Sequence, residues 1–190
     1  LVFRPLTPRK ASGLINSKVD WMSMKTISLL ALLIFFAVSA PAEDRFLDLP
    51  PRTENMVTGS EFVGIVTDMD REEREDYVFN EVMKGNVPGF LRKLVPVDIT
   101  EGGDTIRFFC TPDYLAIGSD EDYFLMPVTP IMGEWVLDAT GTGLPTTKMV
   151  DAIHAAAPFK FSPSPIPPSP QMTTVPVFSD HNDKIWSTRE

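Results

Sequence analysis

The clearest hydrophobic pattern in the chain is that of a helix that begins after Asp70. Asp70 and Glu73 have the spacing of a capping box, in which each side chain accepts from the backbone N–H of the other residue. The apolar residues that follow share one helical face: Tyr77, Val78, Val82 and Met83. Gly85 offers the left-handed conformation that commonly ends a helix. These positions predict an amphipathic helix.

Two shorter apolar runs lie on either side of this helix. Residues 62–66 read Phe-Val-Gly-Ile-Val, and the run predicts either a short strand or an apolar strap across the core. Pro88 is expected to open a short second helix, because proline is favoured in the first helical turn. That helix would carry Phe90, Leu91 and Leu94.

A β region comes next. Four short runs have strand character: residues 95–100, 105–110, 114–118 and 123–128. Gly102 and Gly103 separate the first two runs and permit the positive φ angles of a tight hairpin turn. The short links predict an antiparallel β-meander with one face packed against helices, since an isolated hairpin is marginal in water.

Two further helices are predicted after the strands. Thr129 caps the first and Pro130 opens it, and its apolar stripe is Ile131, Met132, Trp135 and Val136. Pro145 opens the second, whose apolar face is Met149, Val150, Ile153 and Ala157. The fold class is therefore predicted to be α+β, with the folded domain over residues 43–158.

Residues 159–178 form a proline-rich strap. Proline at positions 163, 165, 167, 168, 170 and 176 favours extended polyproline II structure. Pro165-x-x-Pro168 also fits a docking motif for aromatic grooves, but a stiff strap within one fold is the preferred interpretation. Beyond it, Asp180 is predicted to cap a helix over residues 179–190. Since that helix would be short, we expect the chain to be an N-terminal fragment of a longer protein.

Residues 22–42 have the pattern of a secretory signal peptide. A short basic region ending at Lys25 precedes an apolar run of 12 residues, 27–38, and Ala40-Pro41-Ala42 supplies a cleavage signal. Because a membrane span needs about 20 apolar residues, no permanent membrane anchor is predicted. Residues 1–21 lack periodicity and are interpreted as non-native upstream sequence or disordered. The protein is expected to be exported, to the periplasm or the extracellular space.

Export makes the protein more acidic. Residues 1–42 hold five of the 17 basic residues and one of the 26 acidic residues, so their removal changes the net charge from −9 to −13. Such a surface repels phosphate backbones, and no nucleic-acid partner is expected. The single cysteine, Cys110, lies in an apolar run and is expected to be a buried thiol.

The candidate catalytic residues are His181, His154, Asp151 and Lys148. Asp151 lies three residues before His154 on a predicted helix and can orient it as a general base. The alternative is an exposed Asp–His pair. His181 is the first choice for a functional residue, as a base or ligand beside the strap, while capping by Asp180 explains the same segment without a ligand.

The acidic loop 119–122 has carboxylates suited to Ca²⁺, although a solvated turn is the default interpretation and metal binding stays open. No phosphate-binding loop, dinucleotide-binding glycine motif or nucleophile elbow is found in the sequence, so no cofactor is predicted.

Three blocks, residues 111–120, 144–151 and 172–182, resemble a family of uncharacterised exported bacterial proteins. The resemblance covers about residues 86–189. It implies that the chain is the N-terminal part of a longer member, and it carries no catalytic assignment. Thr147 stands where the family pattern leads us to expect a basic residue beside Lys148.

The leading functional hypothesis is a hydrolase-like enzyme that acts on cell-envelope or extracellular polymer. In it, His181 is a general base or ligand, His154 with Asp151 forms a second polar pair, and Lys148 positions the substrate. The alternative is a non-catalytic binding or scaffold module of the envelope, which contacts a polymer or protein partner. Whether the protein is an enzyme is left open.

Overall fold

The computed structural model describes residues 3–4 and 44–189. The predicted signal peptide, residues 22–42, lies outside the described residues, as does nearly all of the predicted upstream segment 1–21.

The described chain contains six strands and six helices. The strands are β1 (Phe3–Arg4), β2 (Arg45–Phe46), β3 (Lys93–Glu101), β4 (Asp104–Cys110), β5 (Ala116–Gly118) and β6 (Tyr123–Leu125). The helices are α1 (Gly59–Val66), α2 (Arg71–Lys84), α3 (Gly89–Arg92), α4 (Pro130–Thr140), α5 (Thr147–Ala156) and α6 (Val175–Arg189). The predicted α+β class is confirmed.

All strand pairs are antiparallel, and they form two sheets. One has the strand order β1-β4-β3-β2, and the other is the β5–β6 hairpin alone. The four predicted strands are thus divided between two hairpins. An irregular segment, residues 111–115, separates them and lets the second hairpin pack on helices of its own.

The turn between β3 and β4 is the predicted glycine turn. Gly102 and Gly103 have φ values of 61° and 92°, the pair of positive angles that a type I′ hairpin turn needs. The register pairs Asp98 with Arg107, whose guanidinium donates to both carboxylate oxygens over 2.7 Å. Local turn chemistry therefore sets this hairpin.

The cap predictions for α2 and α4 are confirmed. Asp70 and Glu73 form a reciprocal capping box, and Gly85 follows α2 with a φ of 89°. The Thr129 side chain accepts from the N–H of Met132 at the start of α4, and Gly141 ends that helix with a φ of 62°.

The prediction of a strand or strap at residues 62–66 is wrong, because the segment is the end of helix α1. Thr58 and Glu61 form a second capping box at the start of that helix. Phe62 and Val66 are fully buried at i, i+4 spacing, which is helical spacing. The β-branched residues between them, Val63 and Ile65, favour a strand locally, and Gly64 weakens a helix; tertiary burial of one helical face outweighs both effects.

Helix α6 begins at Val175, five residues before the predicted cap Asp180. Asp180 lies inside the helix and is exposed, so it does not cap it. Pro176 is the second helical residue, where a missing N–H costs no hydrogen bond. The extended part of the proline-rich strap therefore ends before residue 175.

The structure has two groups of buried apolar residues. The main core is formed by helices α1, α2, α3 and α4, the β5–β6 hairpin and the start of α6; its fully buried members include Phe62, Val66, Val78, Ile117, Met132 and Val175. The hairpin cluster consists of Val97, Phe108 and Cys110 on β3 and β4, with Met149, Ala152 and Ile153 of α5 packed against them.

Candidate functional site

Of the four predicted catalytic residues, three lie on α5 and the fourth, His181, lies on α6. Asp151 and His154 are both exposed on α5, and no hydrogen bond joins them in the described structure. Lys148, on the same helix, pairs with the Glu101 carboxylate at the tip of the β3–β4 hairpin. That hydrogen bond lowers the pKa of Glu101. Lys148 therefore forms an ion pair between α5 and the β3–β4 hairpin.

His181 contacts the strap. It lies on α6, and its Nε2 is 3.1 Å from the carbonyl oxygen of Ser164. Helix α6 packs on the main core, whereas α5 packs on the hairpin cluster. The chemistry assigned to His181, His154, Asp151 and Lys148 stays a prediction.

The acidic loop binds the starts of two helices. An Asp120 carboxylate oxygen accepts from the N–H of Phe90, at the start of α3, over 3.0 Å. An Asp122 oxygen accepts from the N–H of Ser60 in the first turn of α1, over 2.9 Å. Negative charge at these positions is favourable because helix N-termini carry partial positive charge. Among residues 44–189, no three His, Cys, Asp or Glu side chains gather in a way that suits a metal ion.

Cys110 is the buried thiol that its apolar surroundings predict. It is 2% exposed within the hairpin cluster, and burial raises the pKa of the thiol. Since the thiolate is the reactive form, this environment disfavours nucleophilic chemistry at Cys110.

Aromatic and charged side chains converge at the C-terminal end of α6. They come from five parts of the chain, and we call them the aromatic–arginine cluster: Phe90, Asp113, Tyr123, Phe161, Trp186 and Arg189. Phe161 belongs to the proline-rich strap, so the strap contributes directly to this site.

Arg189 is the centre of the cluster. Its Nη2 donates to Asp113 Oδ2 over 2.5 Å, and its Nη1 donates to the Tyr123 hydroxyl over 2.9 Å. The guanidinium carbon lies 6.0 Å from the ring centre of Phe161 and 5.9 Å from that of Trp186. These distances allow cation–π attraction in addition to the ion pair.

Three aromatic rings form a row beside Arg189. The ring centres of Phe90 and Tyr123 are 5.0 Å apart, and those of Tyr123 and Trp186 are 4.7 Å apart. The interplanar angles of 58° and 51° are the tilted arrangement that aromatic quadrupoles favour over a face-to-face sandwich. All three rings are half-buried, and Phe161 is 46% exposed.

The Tyr123 phenol is neutral at neutral pH, since the ordinary pKa of a phenol, about 10, already lies well above that pH. Burial raises the pKa of Tyr123 and the Asp113 carboxylate raises it further, while Arg189 opposes both. A neutral phenol, a carboxylate and a guanidinium therefore meet at neutral pH. Together they offer hydrogen-bond donors and acceptors with little net charge.

Asn182 positions the helix that carries Trp186 and Arg189. Its side-chain oxygen accepts from the N–H of Leu125 over 2.8 Å, and its nitrogen donates to the Leu125 carbonyl over 3.0 Å. The amide thus pairs with the edge of β6 as a neighbouring strand would. The i, i+4, i+7 spacing puts Asn182, Trp186 and Arg189 on one face of α6.

The sequence prediction missed this cluster. Asp113 and Asn182 lie in two of the blocks that carry the family resemblance and were given no role, and Tyr123 was predicted only as a strand residue. The available signal was the spacing of Asn182, Trp186 and Arg189. All three lie within the predicted helix over residues 179–190, but the sequence alone does not show which strand and strap residues their helical face contacts.

No family model, curated protein or solved structure matches this chain. Of the described helices, none has the length and apolar character that a membrane crossing requires.

Proposed function

We propose that this protein is an exported, non-catalytic module that binds a polysaccharide of the cell envelope or extracellular space through the aromatic–arginine cluster. The observation that carries the proposal is the half-buried row of aromatic rings beside Arg189, which donates hydrogen bonds to both Asp113 and Tyr123. Binding sites typically join apolar and aromatic surface to a few placed polar groups.

The chemistry of a sugar ring fits this combination. The C–H faces of a pyranose are apolar and stack on aromatic rings, while its hydroxyl groups need both donors and acceptors. Phe161 and Trp186 supply aromatic surface, and Asp113 and Arg189 supply polar partners that are only 16% and 25% exposed. Partial burial strengthens hydrogen bonds of this kind.

The charge of the site also suits a neutral or weakly charged polymer. Asp113 and Arg189 compensate one another within an otherwise acidic protein. A sugar can exchange hydrogen bonds with either group without leaving an isolated buried charge behind.

Co-sedimentation with insoluble polysaccharide tests the proposal. Purified protein is incubated with peptidoglycan, chitin or cellulose, and the bound fraction is measured after centrifugation. We expect Trp186→Ala to lower the affinity about five- to tenfold, because stacking on one aromatic ring contributes about 1–1.4 kcal/mol. Trp135→Ala is the matched control, since Trp135 is 47% exposed on α4 and outside the cluster.

Three results would contradict the proposal. The first is equal sedimentation of the Trp186→Ala and Trp135→Ala proteins, which would exclude the cluster from binding. The second is release of soluble sugars from the polymer, which would favour the hydrolase hypothesis. The third is binding to an envelope protein with none to any polysaccharide, which would favour a protein partner.

A further inference from the structure

A buried arginine lies beside the start of α6. Arg74, on α2, is 8% exposed, and its Nη2 donates to the Thr173 carbonyl oxygen over 3.3 Å. Its Nε is buried and has no hydrogen-bond partner among the described residues. The guanidinium carbon lies 5.9 Å from the ring centre of Phe178, in the first turn of α6.

No described carboxylate compensates the charge of Arg74. Among residues 44–189, none lies within 4.0 Å of its guanidinium nitrogens. Asp70, one turn before Arg74, is engaged with Glu73 in the capping box at the start of α2. A buried cation without a counter-charge is unfavourable, since buried charges in proteins are normally paired.

The N-terminus of α6 adds unsatisfied donors at the same place. This helix has 15 residues, no acidic residue in its first turn, and a Thr174 hydroxyl that donates to Gln171 rather than capping the helix. The first N–H groups of a helix have no intrahelical acceptor and lie at the positive end of its dipole. Val175 and Val177 carry such groups, whereas Pro176 has none.

From these contacts we infer that Arg74 and the N-terminus of α6 together form a binding site for a small oxyanion, a carboxylate or a phosphate group. The anion supplies the counter-charge that Arg74 lacks and accepts from its Nε and from the N–H groups of Val177 and Val175. Arginine and helix N-termini both bind such groups in many proteins. The site is independent of the aromatic–arginine cluster, because the two lie about 20 Å apart at opposite ends of a 15-residue helix.

Titration with inorganic phosphate tests this inference on the full chain. Amide chemical shifts and the thermal midpoint are followed, with sodium chloride at equal ionic strength as the baseline. We expect the Val175 and Val177 amides to shift and the midpoint to rise, because an anion that binds only the folded state stabilises it. A parallel titration with acetate separates the sources: a response to both anions indicates a general oxyanion site, and a response to phosphate alone indicates a phosphoryl ligand.

Substitutions at two arginines of α2 localise the effect. Arg74→Met is expected to abolish phosphate binding, and Arg74→Lys to weaken it about tenfold, because lysine lacks the planar fork. Arg71→Met is the matched control: it removes the same charge from an exposed position one turn earlier and is expected to bind as the original does.

The inference is overturned if chloride reproduces the phosphate response, or if Arg74→Lys binds phosphate as tightly as the unchanged protein. If Arg74→Met fails to fold, the inference is tested by comparing the phosphate-induced amide shifts of the unchanged protein with those of Arg74→Lys. Shifts confined to residues away from the start of α6 would refute the site. None of these results depends on polysaccharide binding.

Discussion

The main core and the hairpin cluster stabilise the same chain in different ways. In the main core, residues from five helices and the β5–β6 hairpin enclose side chains such as Phe62 and Val78, both 0% exposed. In the hairpin cluster, three buried residues lie under a single helix, α5, which has no fully buried residue of its own. Since apolar burial dominates folding energetics, the main core is expected to carry most of the stability.

Ion pairs on the surface of the β3–β4 hairpin add to the small apolar contact of the hairpin cluster. Arg107 pairs with Asp98 across the strands, and Lys148 pairs with Glu101 between α5 and the turn. Exposed ion pairs of this kind contribute little each. The comparison therefore predicts that the hairpin region opens before the main core does.

The same substitution in both regions gives the largest expected effect. Phe62→Ala is expected to lower the free energy of unfolding by about 4 kcal/mol, and Phe108→Ala by about half as much. The physical reason is that the cavity at Phe62 is enclosed, whereas partly exposed α5 side chains can relax around the one at Phe108. Urea denaturation measures both values. Equal losses would contradict the comparison, and Phe46→Ala, at a 55% exposed position, serves as the control.

Substitution of Asn182 tests a polar contact beside the main core, between α6 and β6. Asn182→Ala leaves the N–H and carbonyl of Leu125 without these partners, and we expect a loss of about 1–3 kcal/mol. The Tyr123–Trp186 contact should loosen as well, which tryptophan fluorescence reports. Asn80→Ala, exposed on α2, is expected to change neither quantity. If both variants unfold alike, the amide does not fix α6 on β6.

The smallest expected effect is a loss of stability at acid pH, and it should be confined to the β3–β4 hairpin. Hydrogen bonds from Arg107 and Lys148 lower the pKa values of Asp98 and Glu101 below their ordinary values. A carboxyl whose folded pKa is depressed stabilises the fold above the unfolded value, near pH 4, and this stabilisation is lost as pH falls through the lower folded value.

We therefore expect hydrogen exchange in β3 and β4 to speed up below about pH 4 relative to α2, after correction for the intrinsic pH dependence of exchange. Asp98→Asn should reduce this difference, while Asp104→Asn, in the same hairpin, should leave it unchanged. A uniform change across the molecule would show that acid does not act preferentially on the hairpin.

The ends of α2 and α4 and the β3–β4 turn were predictable because their signals are local. Asp70 with Glu73, Thr129 with Pro130, and the Gly102–Gly103 pair each act on backbone groups within a few residues. The beginning of α1 was equally local, yet the capping box of Thr58 and Glu61 went unrecognised beside a run rich in β-branched residues.

The candidate site was not predictable in the same way. Phe90 and Arg189 are 99 positions apart in the chain, and each alone is an ordinary residue of a helix. Their proximity depends on how α6 docks on β6, and the amide of Asn182 fixes that docking.

The sequence by itself determined the α+β class, the caps and glycine stops of α2 and α4, the β3–β4 turn and the burial of Cys110. Local hydrogen bonds and hydrophobic periodicity suffice for each of these. Only the tertiary structure decided that residues 62–66 are helical, that the strands form two separate hairpins, and that strap, strand and helix bring their aromatic side chains together around Arg189. Those outcomes depend on which helix and sheet faces are buried against one another, and these faces belong to segments that are far apart in the sequence.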